Sequence, residues 1–149
     1  MTSVKGVSRR PVPVAGEPHF AELAGELMNV IRHTFAVEDW QGLRQSHFRL
    51  LSYVPPEGIS VTDLAVRLGM TKQGCGQFVQ QLSGSGHLEV RADPDDRRVR
   101  LVARTPLGDE TLRAVQARIL RIERGWARRV GRERYAAFRA VLRELSGLA

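Results

Sequence analysis

The sequence predicts a mainly α-helical chain with a small β-hairpin wing, arranged as a winged helix-turn-helix. Three features support this prediction: two short amphipathic helices around residues 60–84, a hairpin with a charged tip after them, and long apolar stripes near both ends of the chain. Two helices joined by a short, glycine-containing turn form the helix-turn-helix pattern. The hairpin that follows the second helix supplies the wing.

The N-terminal stretch, residues 1–18, combines three prolines with Lys5, Arg9 and Arg10. Such a composition predicts a disordered basic tail. The tail could contact phosphate groups, although a solvated tail without a role is the commoner case. Residues 19–149 are short enough to form one domain.

Two amphipathic helices are expected before the helix-turn-helix. Apolar side chains recur at steps of three and four over residues 19–37, which predicts the first helix. Residues 38–42 predict a loop that contains Trp40. Residues 43–54 predict the second helix, which ends at Pro55 because proline disfavours helical backbone in the residue before it.

The helix-turn-helix itself is marked by capping residues. Ser60 and Asp63 form a capping box, in which a hydroxyl and a carboxylate satisfy unpaired amides at a helix start. Gly69 can adopt the left-handed backbone that ends a helix. Thr71 then caps the second helix, whose inner face includes Cys75.

The hairpin is predicted from residues 87–91 and 97–102, which flank an Asp- and Pro-rich turn. Helix-turn-helix shapes also occur as plain packing units. The arginines at the tip of this hairpin favour DNA binding over that alternative.

The C-terminal part, residues 105–148, predicts two helices separated at Gly131. Thr105 and Pro106 supply a hydroxyl cap followed by proline at the first helical position. Residues 19–37 and 105–148 carry more apolar surface than the winged unit, residues 43–104, needs for its core. We therefore predict that they are dimerisation helices of a homodimer. The alternative is that they fold back on the chain's own core.

The composition limits the possible functions. The net charge is +7, and residues 111–143 contain ten arginines but only two glutamates. This excess of positive charge suggests an anionic partner, but it does not locate the DNA site. No apolar run reaches the length of a membrane span. A single cysteine excludes an intramolecular disulfide and fits a cytoplasmic location. We find no cofactor motif, metal-ligand spacing or catalytic constellation, and we expect no enzyme activity.

The wing residues 93–108 resemble the D-x-R wing signature of the MarR family (multiple antibiotic resistance regulators), with Asp96 and Arg98 on the D and the R. Residues 63–69 are also similar to the family's first helix of the helix-turn-helix, and the resemblance extends from about Phe20 to the C-terminus. Arg104 departs from the pattern, since leucine is usual there. The resemblance implies a dimeric winged-helix repressor or activator, often released from DNA by a small phenolic or other ligand.

The resemblance also implies where DNA would bind. The helix that starts at Thr71 would enter the major groove, and Arg98, held by Asp96, would enter the minor groove. The candidate DNA-binding residues are Thr71, Lys72, Gln73, Gly76, Gln77, Arg91, Asp96, Arg97 and Arg98.

Two glycines in the helix that starts at Thr71, Gly74 and Gly76, depart from the family pattern. Each lowers the stability of a helix by about 1 kcal/mol relative to alanine. They indicate either a close approach of backbone to DNA or a helix that becomes ordered on DNA.

Three side chains are candidates for an effector pocket: Trp40, His47 and Tyr53. Aromatic side chains with polar tips suit small aromatic or anionic effectors, whereas core and interface packing is the alternative reading. The sequence thus predicts a sequence-specific regulator that binds a palindromic operator as a homodimer. The alternatives are a winged-helix module that binds proteins and an architectural protein that binds DNA without sequence preference.

Overall fold

The structure, a computed structural model, describes residues 16–147, so residues 1–15 of the predicted tail lie outside the described part. The helices are α1 (Phe20–Ala36), α2 (Gln45–Tyr53), α3 (Val61–Leu68), α4 (Lys72–Gly84), α5 (Pro106–Val130) and α6 (Arg132–Ser146). The strands are β1 (Ile59–Ser60), β2 (Leu88–Ala92) and β3 (Arg100–Arg104). The three strands form one antiparallel sheet in the order β1-β3-β2.

The caps confirm three predicted helix starts, whereas α2 begins at Gln45 instead of residue 43, with Arg44 as its N-cap. The hydroxyl oxygen at each of three helix starts accepts a hydrogen bond of 3.1 Å from the amide three residues later, and these residues are Ser60, Thr71 and Thr105. Gly69 ends α3 in the left-handed conformation, with φ of 64°. Short-range hydrogen bonding therefore determines these boundaries.

The sheet differs from the predicted hairpin in two ways. β1 was not predicted, because a strand of two residues, paired through Ile59 with Val102, is too short to show a pattern. The second strand begins at Arg100 instead of residue 97, because the Val99 amide donates to the Asp96 carbonyl and closes a turn at the tip. Residues 97–99 thus belong to the tip of the wing.

The main core lies between α2, α3, α4 and the sheet. Its fully buried side chains are Leu50, Leu51, Val54, Leu64, Cys75, Leu82 and Val102. A second, smaller cluster joins α1, α2 and α5 through Phe35, Phe48 and Val115, and Trp40 packs against it. The main cluster gives the winged unit a core of its own, and the smaller cluster packs α1 and α5 against α2.

α1 and α6 remain largely outside these cores. α6 contains no buried residue, and large apolar side chains of α1 and α6 are exposed: Phe20, Leu23, Leu27, Met28, Val30, Phe138, Val141 and Leu145. In the structure of this single chain, the two helices therefore do not fold back to bury their apolar stripes.

The start of α5 packs closely against the turn between α4 and β2. A Cβ built at Gly108 would lie 2.2 Å from the carbonyl oxygen of His87, so only glycine permits this approach. The Thr105 amide also donates to the same carbonyl oxygen at 3.2 Å. α5 is thus positioned directly by the turn between α4 and the wing.

Candidate nucleic-acid interface

The N-terminal end of α4 presents several of the predicted DNA-binding residues to solvent. Lys72, Gln73 and Gln77 are exposed on the helix surface. The Thr71 hydroxyl accepts from the Gly74 amide, so this side chain caps the helix. Amides at a helix start carry a partial positive charge that favours phosphate. This end of α4 can therefore bind a nucleic acid backbone while its side chains reach bases.

The two glycines of α4 have different surroundings. A Cβ at Gly74 would lie 3.1 Å from the Thr71 hydroxyl oxygen, which is closer than most Cβ atoms come to a neighbouring atom. Glycine at this position therefore leaves room for the Thr71 hydroxyl to cap the helix. A Cβ at Gly76 would meet nothing within 4 Å. The chain nevertheless forms a continuous helix from Lys72 to Gly84. Gly76 thus leaves an open stretch of backbone on the helix surface.

The wing tip holds one arginine in a defined orientation. The Asp96 carboxylate accepts from the backbone amide of Arg98 at 3.0 Å, from its Nε at 3.1 Å and from its Nη2 at 3.2 Å. These bonds to Arg98 lower the pKa of the Asp96 carboxyl group. The Arg98 side chain is still 91% exposed. The geometry therefore presents a guanidinium group at the end of the wing, with Asp96 orienting it.

The other two predicted wing residues differ in their contacts. Arg97 is exposed at the tip. Arg91 donates from Nη2 to the Glu57 carbonyl oxygen at 2.9 Å, which joins β2 to the segment before β1. Arg91 thus has a structural contact in addition to its predicted role.

Arg104 supports this interface and was missed by sequence reasoning. Its Nε lies 2.6 Å from the Asp109 carboxylate, and its Nη1 donates to the carbonyl oxygens of Leu51 and Val54 at the end of α2. One side chain therefore links α2, β3 and α5. Its departure from the leucine usual in the family was the available signal, but its two carbonyl partners lie about fifty residues away in the chain.

The three residues predicted for an effector pocket have separate sets of contacts. The Trp40 ring packs against Phe35 at 5.1 Å between ring centroids, and its Nε1 donates to Glu38. His47 bonds through Nε2 to Gln81 of α4 at 3.0 Å. Tyr53 packs under the Arg49 guanidinium.

Two cavities lined by Trp40, of about 710 and 220 Å³, include neither His47 nor Tyr53 among their described lining residues. The structure therefore does not gather the three predicted residues in either cavity.

A cavity of about 820 Å³ lies between α1, α2, α5 and α6. Its walls are mainly apolar, and the lining residues include Met28, Ile31, Phe35, Phe48, Val115 and Ile119. Its polar groups include Arg49 and the pair formed by Arg139 and Glu123, whose Nη1 and Oε2 atoms lie 3.5 Å apart. We call this space the interhelical cavity.

None of the helices described within residues 16–147 is long and apolar enough to cross a membrane. No group of three or more His, Cys, Asp or Glu side chains in that span is arranged to hold a metal ion.

The helix pair, the sheet and the exposed arginine at its tip define a winged helix-turn-helix protein. The sequence profile of the MarR family matches residues 41–99. An uncharacterized protein of Mycobacterium tuberculosis is 32% identical over 124 residues, which cover 83% of this chain and 85% of that protein. The chain belongs to the MarR family of winged-helix, DNA-binding transcriptional regulators.

Solved structures share the fold at lower sequence identity. The Staphylococcus aureus MepR–DNA complex superposes with a TM-score of 0.67 at 15% identity, covering 89% of this chain and 100% of that chain. CouR from Rhodococcus jostii RHA1, bound to p-coumaroyl-CoA, has a TM-score of 0.63 at 20% identity, covering 84% and 87%. The family's winged fold therefore extends over most of this chain.

Proposed function

We propose that this protein is a sequence-specific transcriptional regulator that binds a palindromic operator as a homodimer and is released by a small-molecule effector. The observation that carries the proposal is the Asp96–Arg98 pair at the wing tip. It presents a guanidinium group that is 91% exposed, on the same winged unit as a helix start that suits phosphate. An arginine held in this way suits a narrow minor groove, where the negative potential is strongest.

The homodimer is supported by the unburied apolar surface of α1 and α6. Phe20 is 67% exposed, Val141 53% and Leu145 78%, and so many exposed large apolar side chains on two helices are typical of an interface. A two-fold dimer would place two copies of α4 about one DNA turn apart, which matches a palindromic operator. A second copy of the chain is thus the partner that we propose for these helices.

The experiment that tests DNA specificity is fluorescence anisotropy with duplexes from upstream of the protein's own gene. A scrambled duplex is the control, at about 150 mM salt, because affinity without a stated salt concentration is uninterpretable. We expect a preference of roughly 10³-fold or more for the native duplex. Equal affinity for both duplexes would favour the architectural alternative, and binding to neither would favour a protein-binding module.

The interhelical cavity is the effector site that we propose. Its volume of about 820 Å³ falls in the range of small-molecule sites, and its apolar walls suit an aromatic ring. Arg49 and Arg139 lie among its polar groups and can pair with a carboxylate. CouR, the similar protein bound to p-coumaroyl-CoA, supports ligand binding within this fold. We therefore propose an aromatic or anionic effector.

This site can be tested with salicylate as a probe and phenol as its counterpart without the carboxylate. We expect salicylate to raise the melting temperature and to release labelled operator DNA. Arg139→Ala should weaken salicylate binding more than phenol binding, because only salicylate carries the anion. Arg128→Ala is the control, since Arg128 is an exposed α5 residue outside the described lining of the cavity.

A further inference from the structure

The His47 side chain joins the start of α2 to the last turns of α4. Its Nδ1 accepts a hydrogen bond of 2.9 Å from the backbone amide of Arg44, the N-cap of α2. Its Nε2 lies 3.0 Å from the Oε1 atom of Gln81 on α4. The ring also meets the edge of the Phe78 ring on α4, with ring centroids 5.2 Å apart. One imidazole therefore links the two helices.

The contact with Arg44 fixes the protonation state of this imidazole. A backbone amide can only donate, so Nδ1 of His47 must offer a lone pair. A neutral imidazole with an unprotonated Nδ1 carries its proton on Nε2, which can then donate to Gln81 Oε1. In an imidazolium both nitrogens are donors, so the bond from the Arg44 amide cannot form.

A second proton on the ring would place two donors against each other at the start of α2. The positive end of the helix dipole lies at the same place and disfavours an added positive charge. Either the backbone at Arg44 or the imidazole must then move. Because the ring is also bonded to Gln81, either movement changes how the start of α2 meets α4.

The charged groups identified around His47 would not hold an imidazolium in place. Within residues 16–147, no carboxylate forms an ion pair with His47. Arg44 is a cation at the start of α2, whereas Phe78 and Gln81 on α4 are uncharged. Burial lowers the pKa of His87 in the turn after α4, and the charge of nearby His47 adds to this effect.

A change at Gln81 can reach the residues that we propose to contact DNA. α4 is a continuous helix from Lys72 to Gly84, so its two ends move together. With a rise of 1.5 Å per residue, Gln81 lies about 14 Å along the axis from Lys72. A small tilt of α4 at Gln81 would therefore displace its first turn, and hydrogen bonds to bases tolerate little displacement.

We propose that His47 is a positioning residue for α4 and that protonation of its ring weakens DNA binding. The inference rests on the proposed binding of DNA by α4. Histidine is the side chain that ordinarily changes charge between about pH 5 and 8. DNA affinity should therefore fall as the pH is lowered through this range. An added positive charge by itself would have the opposite effect, because it attracts phosphate.

The first measurement uses NMR of protein labelled with ¹⁵N and needs no DNA. The His47 ring resonances are identified by their loss in His47→Gln. At about pH 8 we expect Nδ1 to be unprotonated and Nε2 to carry the proton. The side-chain amide resonances of Gln81 should shift together with those of His47 as the pH is lowered. A protonated Nδ1 at pH 8 would overturn the proposal, and this outcome is distinguishable from failure of the proposed regulator function.

The second measurement compares the dissociation constants of operator DNA at about pH 8 and pH 6, at fixed ionic strength, by fluorescence anisotropy. The unchanged protein should lose affinity by about two- to tenfold at the lower pH, the effect of one lost hydrogen bond. His47→Gln should remove most of this loss, because glutamine can accept from the amide at this capping position and does not titrate. His33→Gln, at an exposed position of α1, should retain the loss.

Gln81→Ala tests whether the effect passes through α4. It removes the partner of Nε2 but leaves the cap of α2, and Gln81 is exposed, so the fold should be retained. We expect a two- to tenfold weaker affinity at about pH 8 and little further loss at pH 6. Gln80→Ala, at the neighbouring exposed glutamine, is the matched control and should keep the full pH dependence. An unchanged pH dependence in His47→Gln or in Gln81→Ala would overturn the proposal.

Discussion

Asp96 accepts three hydrogen bonds from Arg98, one from its backbone amide and two from its guanidinium group. The pair occupies two alternate residues of the wing tip, where the backbone turns between β2 and β3. An exposed arginine otherwise samples many rotamers and loses that freedom when it binds. Asp96 removes part of this entropy before DNA is bound.

Arg98→Ala should weaken operator binding by about 5- to 150-fold, the usual effect of losing a specific arginine contact. Asp96→Ala should produce a smaller loss, because the cation remains but is no longer oriented. Fluorescence anisotropy at fixed salt measures both. Arg128→Ala, on the exposed surface of α5, should bind like the unchanged protein. If Arg98→Ala retains full affinity, the wing does not contact DNA as we propose.

Gly76→Ala separates the two explanations for the glycines of α4. The new methyl group would meet nothing within 4 Å, so the free energy of unfolding should rise by about 0.5–1 kcal/mol. If backbone at Gly76 approaches DNA closely, operator affinity should fall by about tenfold or more, since overpacking costs 1–3 kcal/mol. Urea denaturation and anisotropy give the two quantities.

Gly84→Ala is the matched variant for this comparison, because Gly84 also faces open space but lies at the other end of α4. It should not weaken DNA binding. An increase in operator affinity for Gly76→Ala would instead support a helix that becomes ordered on DNA.

Phe138→Glu should convert the proposed homodimer to monomers. Phe138 lies on α6, is 40% exposed in the single chain and packs beside Tyr135 with ring centroids 6.0 Å apart. A charge there would be buried without a partner in an apolar interface. Sedimentation equilibrium measures the mass. Val66→Glu introduces the same charge at an exposed apolar residue of α3 and should leave the mass unchanged. A monomeric unchanged protein would contradict the proposed interface.

Gly108→Ala should destabilise the protein by about 1–3 kcal/mol or more, because its Cβ would collide with the His87 carbonyl oxygen at 2.2 Å. Gly125→Ala lies in the same helix and meets only the end of Arg128, 3.9 Å away. It should stabilise α5 by about 0.5–1 kcal/mol. Opposite shifts of the urea midpoint are therefore expected, and equal shifts would contradict the close approach of α5 to His87.

The stability of the protein should decrease as the pH falls below about 6.5, the ordinary pKa of histidine. Burial lowers the pKa of His87 in the folded state, so the unfolded chain takes up this proton first. The contribution of His87 is thus fully present above the unfolded pKa and is lost as the pH falls toward the folded pKa.

Urea denaturation at several pH values measures this dependence. His87→Gln should remove the part of the slope due to His87, whereas His33→Gln, at an exposed position of α1, should retain it. An identical slope in the unchanged protein and in His87→Gln would contradict this account.

Much of the fold could be predicted because its signals are local. The hydroxyl caps at Ser60, Thr71 and Thr105 act over three residues, and Gly69 ends α3 through its own backbone conformation. The Asp- and Pro-rich turn locates the wing tip in the same way. The family resemblance added the orientation of Arg98 by Asp96, a contact between residues two apart, and the structure contains that contact.

The rest depended on contacts between distant segments. Arg104 finds its carbonyl partners at the end of α2, and His87 is buried by α5, although neither sequence neighbourhood indicates this. Trp40, His47 and Tyr53 likewise acquire different surroundings from the elements packed on them. The sequence by itself determined where the capped helices begin and where the chain turns at the wing tip, since hydrogen bonds between residues near in the chain set these points. Only the tertiary structure decided which side chains are buried and which cavities they line, because burial is a property of several segments packed together.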